Sequence, residues 1–254
     1  MMRMRYYGLA FGIVVAVVAA TLASGRVERA RAGDGDEILY SKARIYIEYN
    51  DSAEDVGVQV LLDGEPWRAL QAFRPDGKRI LNLSTQRGLR LQGLTEFFFE
   101  SSEPSLADVP LSVFLSRFPA GVYEFEGETV SGEEIEGEAT FSHVIPTGPE
   151  IISPISIGDE PAVVDPENLV IEWEPVTTTI FGSPDNLQIV RYQVIVEQVD
   201  PPRHFQIDLP ASTTSVTVPP EFLTQPGTLH KFEILAVDAS GNQTITEGEF
   251  VTEM

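Results

Sequence analysis

From Ala43 onward, apolar and polar positions alternate in short runs that end at proline, glycine, asparagine or aspartate, the pattern of extended strands joined by turns. In the first half the runs are Ala43–Tyr49, Val56–Leu62, Trp67–Phe73, Arg79–Leu83, Leu94–Phe99, Val122–Glu126 and Ile135–His143. Asp63-Gly64 and Pro75-Asp76-Gly77 lie between runs, where a tight hairpin needs the positive φ that glycine adopts without steric cost. A set of antiparallel hairpins is therefore predicted. One segment breaks the period: Pro110 suits a first helical turn, and Leu111, Phe114, Leu115 and Phe118 recur at helical spacing until Pro119-Ala120-Gly121. One short helix is expected there.

Pro146-Thr147-Gly148-Pro149 reads as a stiff linker. Beyond it the predicted strands are Asn168–Glu174, Val190–Gln198, Arg203–Asp208, Thr213–Val218, Leu229–Val237 and Thr244–Val251. In the first of these Leu169, Ile171 and Trp173 share one face, while Val170, Glu172 and Glu174 share the other, so Trp173 should face a core between two sheets. Tyr192, Val194 and Val196 alternate in the same way with Gln193, Ile195 and Glu197. The expected fold class is all-β: two tandem β-sandwich domains, an N-terminal antiparallel domain over 43–145 that holds the helix, and a C-terminal domain over 146–254.

The N-terminus bears on where such a protein works. Arg3 and Arg5 precede an apolar run from Gly8 to Ala23, and Ala30-Arg31-Ala32 offers a small-x-small cleavage site that would free Gly33, with Thr21-Leu22-Ala23 as a second. Residues 1–32 are thus expected to be a signal peptide, with an uncleaved anchor as the alternative, because the apolar run approaches the ~18 residues at which a membrane span becomes plausible. Either reading puts the remainder outside the cytoplasm: secreted, periplasmic or at the cell surface. The chain has no cysteine, which excludes a lipid-attached start, thiol catalysis and disulfides, so each domain must rely on hydrophobic packing. The net charge is −22, and after position 32 there are 12 basic and 38 acidic residues. Such a surface repels phosphate backbones and anionic lipid heads, which argues against nucleic acid or membrane-surface partners.

The stretch from about Pro149 to Thr252 resembles the fibronectin type III domain, an immunoglobulin-like sandwich. The resemblance is carried by the early-strand Trp173, by Tyr192-Gln193-Val194-Ile195-Val196, and by Pro226-Gly227-Thr228 before a strand ending Ala236-Val237-Asp238 and a turn at Gly241-Asn242. Where that family has a tyrosine near the start of its penultimate strand, this chain has His230, and Pro219–Thr224 makes the preceding loop longer. Gly121–Phe125 echoes the Gly227–Phe232 segment. The resemblance implies a module that contacts proteins or polysaccharides through loops or sheet edges.

Chemistry-bearing residues are sparse. The three histidines, His143, His204 and His230, have no second histidine or cysteine nearby to build a metal site, and no Gly-x-Ser-x-Gly elbow occurs. His143 shares parity with Phe141 and reads as packed; His230 is expected to do structural work. Glu172 and Glu174 lie two apart on an outward strand face, an arrangement suited to acid–base work only inside a cleft. Asn50–Asp55 and Asp238–Asn242 could gather oxygen ligands but lack the alternating ligands and pivot glycine of a calcium loop, so they read as turns. Phe97-Phe98-Phe99 places rings on both faces of one strand, and the outward ring is expected to find cover under the helix or to form an apolar patch. Asn82-Leu83-Ser84 and Asn242-Gln243-Thr244 match the glycosylation acceptor pattern. No catalytic, cofactor-binding or metal residue is assigned. The expected function is a non-catalytic binding, adhesion or structural module. The alternatives are a membrane-tethered spacer and a carbohydrate-active hydrolase, the latter requiring two carboxylates facing across a groove at about 5–9.5 Å.

Overall fold

The computed structural model describes residues 38–254 apart from Asp159 and Val199; the segment 1–32, expected to be a signal peptide, lies outside the described residues. Strand β1 (Ile38–Leu39) runs parallel to β7 (Glu134–Phe141), and β2 (Lys42–Asn50) forms an antiparallel hairpin with β3 (Asp55–Phe73). The turn of that hairpin is local chemistry: the Asn50 side-chain oxygen accepts from the Ser52 and Ala53 amides, and Glu54 takes φ 53°.

The expected hairpin at Asp63-Gly64 does not form. β3 runs straight through it for 19 residues, with its register shifted between Asp63 and Trp67. Its first part pairs with β2 and with β5 (Leu94–Glu100), its second part with β4 (Arg79–Ser84) and β6 (Gly121–Thr129), so one strand passes from one layer to the other. Gly64 serves close approach instead of a turn. The Tyr40 ring lies against Gly64, Gly127 and Gly137 on three different strands, and a Cβ at any of them would stand within about 3.1 Å of the ring or its hydroxyl. An added methyl at Gly127 would also stand 2.8 Å from the Ala69 carbonyl oxygen. Gly127→Ala should therefore cost about 1–3 kcal/mol by overpacking, read as a lower urea midpoint with unchanged slope.

The hairpin at Pro75-Asp76-Gly77 forms as expected, with Gly77 at φ 73°. Two helices are present among the described residues where one was expected. α1 (Arg87–Gln92) is a six-residue turn with no buried residue, too short to leave a periodic trace, and α2 (Leu111–Arg117) begins after Pro110 and buries Phe114. Ile45, Ile47, Val58, Val60, Trp67, Leu70, Phe114, Tyr123, Phe125, Ile135 and Phe141 belong to one core shared by both layers. The Tyr123 hydroxyl donates to the Pro119 carbonyl four residues upstream, 3.2 Å away, which pins the start of β6.

The C-terminal half contains a three-stranded sheet, β8 (Ile151–Ser153), β10 (Val170–Trp173) and β13 (Ser215–Thr217), ordered β13-β10-β8. Its apolar side chains share one core with those of β11 (Ile189–Gln198), β12 (Arg203–Pro210), β14 (Leu229–Asp238) and β15 (Gln243–Thr252), paired in the order β15-β14-β11-β12. Short β9 (Ala162–Val164) pairs with the end of β15. Leu169, Ile171 and Trp173 are buried and Val170, Glu172 and Glu174 exposed, as the alternation predicts. β11 departs from its alternation. Gln193 and Ile195 are buried as well, because Ile195, Leu235 and Ile245 make a small second cluster on the other face of the sheet.

That other face continues across the chain. The first residues of β15 pair in parallel with the last of β2, Gln243 opposite Glu48, Thr244 opposite Tyr49 and Ile245 opposite Asn50, so strands of both halves belong to one 12-stranded sheet. Glu37–Met254 is accordingly one compact unit. Buried Asn242 pins the seam: its oxygen accepts from the Ile47 amide (2.8 Å), and its nitrogen donates to the Ser142 (3.0 Å) and Val144 (2.8 Å) carbonyls. The Thr244 hydroxyl donates to the Pro146 carbonyl at 2.7 Å, and a Cβ on Gly148 would meet Thr246 and Asp51 side chains, so the expected linker is packed into the same seam.

Candidate functional site

Strand register places the side chains of this shared outer face in rows. Arg44, Leu61 and Phe98 stand side by side on β2, β3 and β5, followed by Tyr46, Gln59 and Glu100. Across the seam, Glu48 is level with Gln243, and Glu233 is level with Glu247. Gly57 lies opposite Glu48 and leaves room that Glu103 fills; a Cβ on Gly57 would meet the Glu103 side chain at 2.8 Å. Oxygens of Glu48, Glu100 and Glu103 lie within 4.8 Å of one another, the one such acidic triplet among the described residues.

These carboxylates are short of compensating charge. Burial holds the Glu48 carboxyl up at about 7 even though the Gln243 and Gln59 amides donate to it, and nearby Glu100 and Asp55 push the same way. Glu103 is raised to about 8, first by burial and then by Glu48, Glu100 and Asp55; it also shares a hydrogen bond with Glu100, which requires one proton between two carboxyl groups. On the far side of the seam burial lifts Glu233 to about 7, with Glu247 and Glu197 adding repulsion that Lys231 offsets in part. The arrangement can store protons and attract cations. Sequence reasoning passed over it because the three glutamates come from separate strands and loops. The one local signal is Glu48, a carboxylate inside an apolar alternation.

The residues singled out from sequence are dispersed. Nε2 of half-buried His143 lies 2.8 Å from the Phe118 carbonyl, and its ring meets Phe141 edge-on. His230 is fully buried, bonds the Thr228 carbonyl through Nδ1 at 3.0 Å and stacks on Phe250 at 4.9 Å; burial holds its pKa below the usual histidine range. His204 is exposed on β12, and the three histidines do not converge. Glu172 and Glu174 point outward from β10. Asp238 is consumed by its turn, its oxygens accepting from the Gln188 (2.7 Å) and Ser240 (2.8 Å) amides. Of the two glycosylation acceptor patterns, Asn82 is exposed on β4, whereas Asn242 is buried and fully bonded.

Among the described residues, the exposed apolar side chains include Phe98 and a cluster between β8 and β9. Phe98 is 40% exposed on the outer face, uncovered by α2, while Phe97 packs edge-on against Trp67 with ring centroids 6.1 Å apart. Between β8 and β9 a shallow groove is lined by Pro154, Ile155, Ile157, Pro161 and Val163, with Ile157 83% and Val163 70% exposed. No helix among the described residues is long and apolar enough to cross a membrane.

No family model matches the chain, and no curated protein is similar enough to match. Among solved structures, the FN1–FN3 domains of chicken CNTN1 align at TM-score 0.29 and 10% identity over 86% of this chain and 66% of that one. A two-domain fibronectin type III segment of chicken tenascin aligns at TM-score 0.28 and 11% identity over 84% of this chain and 99% of that one. A tetra-tandem repeat from the extending region of a large adhesion protein aligns at TM-score 0.30 and 10% identity over 84% of this chain and half of that one. These likenesses are too distant to carry an argument, and the all-β assignment rests on the strands, registers and cores of the chain itself.

Proposed function

We propose that this chain is an exported, non-catalytic module that recognises protein or polysaccharide outside the cytoplasm, in the periplasm or at the cell surface. The observation that carries the reading is the apolar surface left outside both cores. Ile155, Ile157 and Val163 crowd one loop end of the C-terminal sandwich, where such a scaffold offers loops to a partner. We read 146–254 as a fibronectin type III-like domain, supported by the placement of β8, β10 and β13 opposite β15, β14, β11 and β12, and 43–145 as a second domain fused to it. The net charge of −22 favours partners other than nucleic acid. The basic, apolar N-terminus supports export through a cleaved signal at 1–32, with a tethered spacer as the second reading.

The test combines location with recognition. N-terminal sequencing of the protein recovered from outside the cytoplasm should begin at Gly33. On panels of envelope proteins and purified polysaccharides, saturable binding is expected, weakened at least tenfold by Ile157→Asp with Val163→Asp. Phe98→Ser serves as a control at a second apolar site and should cost less than about 1 kcal/mol of stability. Cytoplasmic retention of the intact chain, or binding indifferent to the Ile157 and Val163 changes, overturns the proposal.

A further inference from the structure

Where the halves join, carboxylates of one face those of the other. From β2 comes Glu48, with Tyr46 beside it; from β3, Asp55; from β5 and the loop after it, Glu100 and Glu103. The C-terminal half contributes Glu247 and the amide of Gln243 on β15, Glu233 and Lys231 on β14, and Glu197 on β11. Lys231 is already committed to Glu249, 3.6 Å away, and Arg44 and Arg191 act on Tyr46 at the far end of the row. Repulsion therefore runs across the seam itself, Asp55 against Glu247 and Glu48 against Glu233.

The seam is also a thin connection between the two halves. Three residue pairs join β2 to β15, whereas β2 pairs with β3, and β14 with β15, over nine each. The Gln243 amide reaches across it to the Glu48 carboxyl, the Asn50 amide reaches Glu247 at 2.6 Å, and the Ser52 hydroxyl accepts from the Glu247 amide at 2.9 Å. Glu103 can lie over Gly57, bonded to Glu100, only while a proton sits between the two carboxyl groups.

We propose that this seam is a proton-operated latch: protonated carboxyls at Glu48 and Glu103 let β2 and β15 stay paired, and their ionisation loosens the junction between the halves while both cores remain folded. The direction follows from linkage. A glutamate whose folded pKa is raised binds its proton more tightly in the closed state, so closure is favoured most in acid. That advantage is lost as the pH climbs from about 4.5, the ordinary value, through about 7 for Glu48; Glu103, whose raising neighbours all lie in its own half, acts on the seam through the adjacent Glu48. Burial and crowding have spread titration over the range around neutrality. Lowering the pH should close the latch, and raising it should open it.

Hydrogen exchange on the full chain, expressed as protection factors between about pH 5 and about pH 9, tests this directly. Protection of the amides in Ile47–Asn50 and Gln243–Ile245 is expected to fall at least tenfold relative to amides of the two cores, and the thermal midpoint on the order of 5–10 °C. In the Glu48→Gln, Glu103→Gln double variant both changes should shrink to a small fraction, while at about pH 5 it should match the parent. Seam protection that follows the cores throughout, or a loss that persists in the double variant, overturns the proposal. Calcium chloride that restores the seam at high pH in the parent would overturn it too, since the carboxylates would then be reading a cation and not a proton.

Discussion

Trp173→Ala is expected to lower the unfolding free energy by about 3–5 kcal/mol, the cost of emptying a core aromatic site. Trp173 is 1% exposed on β10 and its ring centre lies 5.3 Å from that of Tyr192 on the opposite sheet, so it spans the gap between layers. The Tyr192 hydroxyl accepts from the Val176 amide at 2.8 Å, which ties the end of β10 to the same contact. Truncation leaves a cavity that neither sheet can close without breaking that bond. Trp173→Phe refills most of the volume and sacrifices no hydrogen bond, because the indole Nε1 has no partner; it should cost markedly less. Chemical denaturation measures both, and near-unchanged stability of the alanine variant would place the ring outside the core.

Asn242→Ala should be comparably damaging for another reason. One side chain satisfies three backbone groups, the Ile47 amide and the Ser142 and Val144 carbonyls, and all three belong to the N-terminal half. A buried group stranded without its partner costs about 1–3 kcal/mol, so the total is on the order of 3–5 kcal/mol. The effect falls on the seam, and calorimetry should resolve the single transition of the parent into two. Asn242→Asp should be no rescue: it keeps an acceptor for Ile47 but turns a second oxygen toward two carbonyls. A single transition with an unchanged midpoint in the alanine variant would mean that the hub does not couple the halves.

What could be read from sequence follows from how local each signal is. The inward face of β10 and the helix at Leu111–Arg117 announce themselves through periods of two and 3.6 residues. Asp63-Gly64 was misread because glycine signals both turns and close approach. Only the side chains of Tyr40, from the link between β1 and β2, and Ile135, from β7, reveal that the second applies. Strands β8 and β9 have three residues each, too few for any alternation. The seam left no trace at all: three parallel pairs between residues about 195 positions apart depend on the completed cores of both halves. The acidic row followed the same fate, since Glu48 and Glu103 meet only through the pairing of β2, β3 and β5, and Glu233 joins them only across that seam.

Residual dipolar couplings of the full chain in a weakly aligning medium, at about pH 5, test most directly whether one sheet unites the two halves. The structure predicts that amide vectors from β2–β7 and from β10–β15 fit a single alignment tensor, with Glu48 and Gln243 strands parallel. Two tensors of different magnitude would contradict it, for they would mean two bodies reorienting independently about Pro146–Pro149.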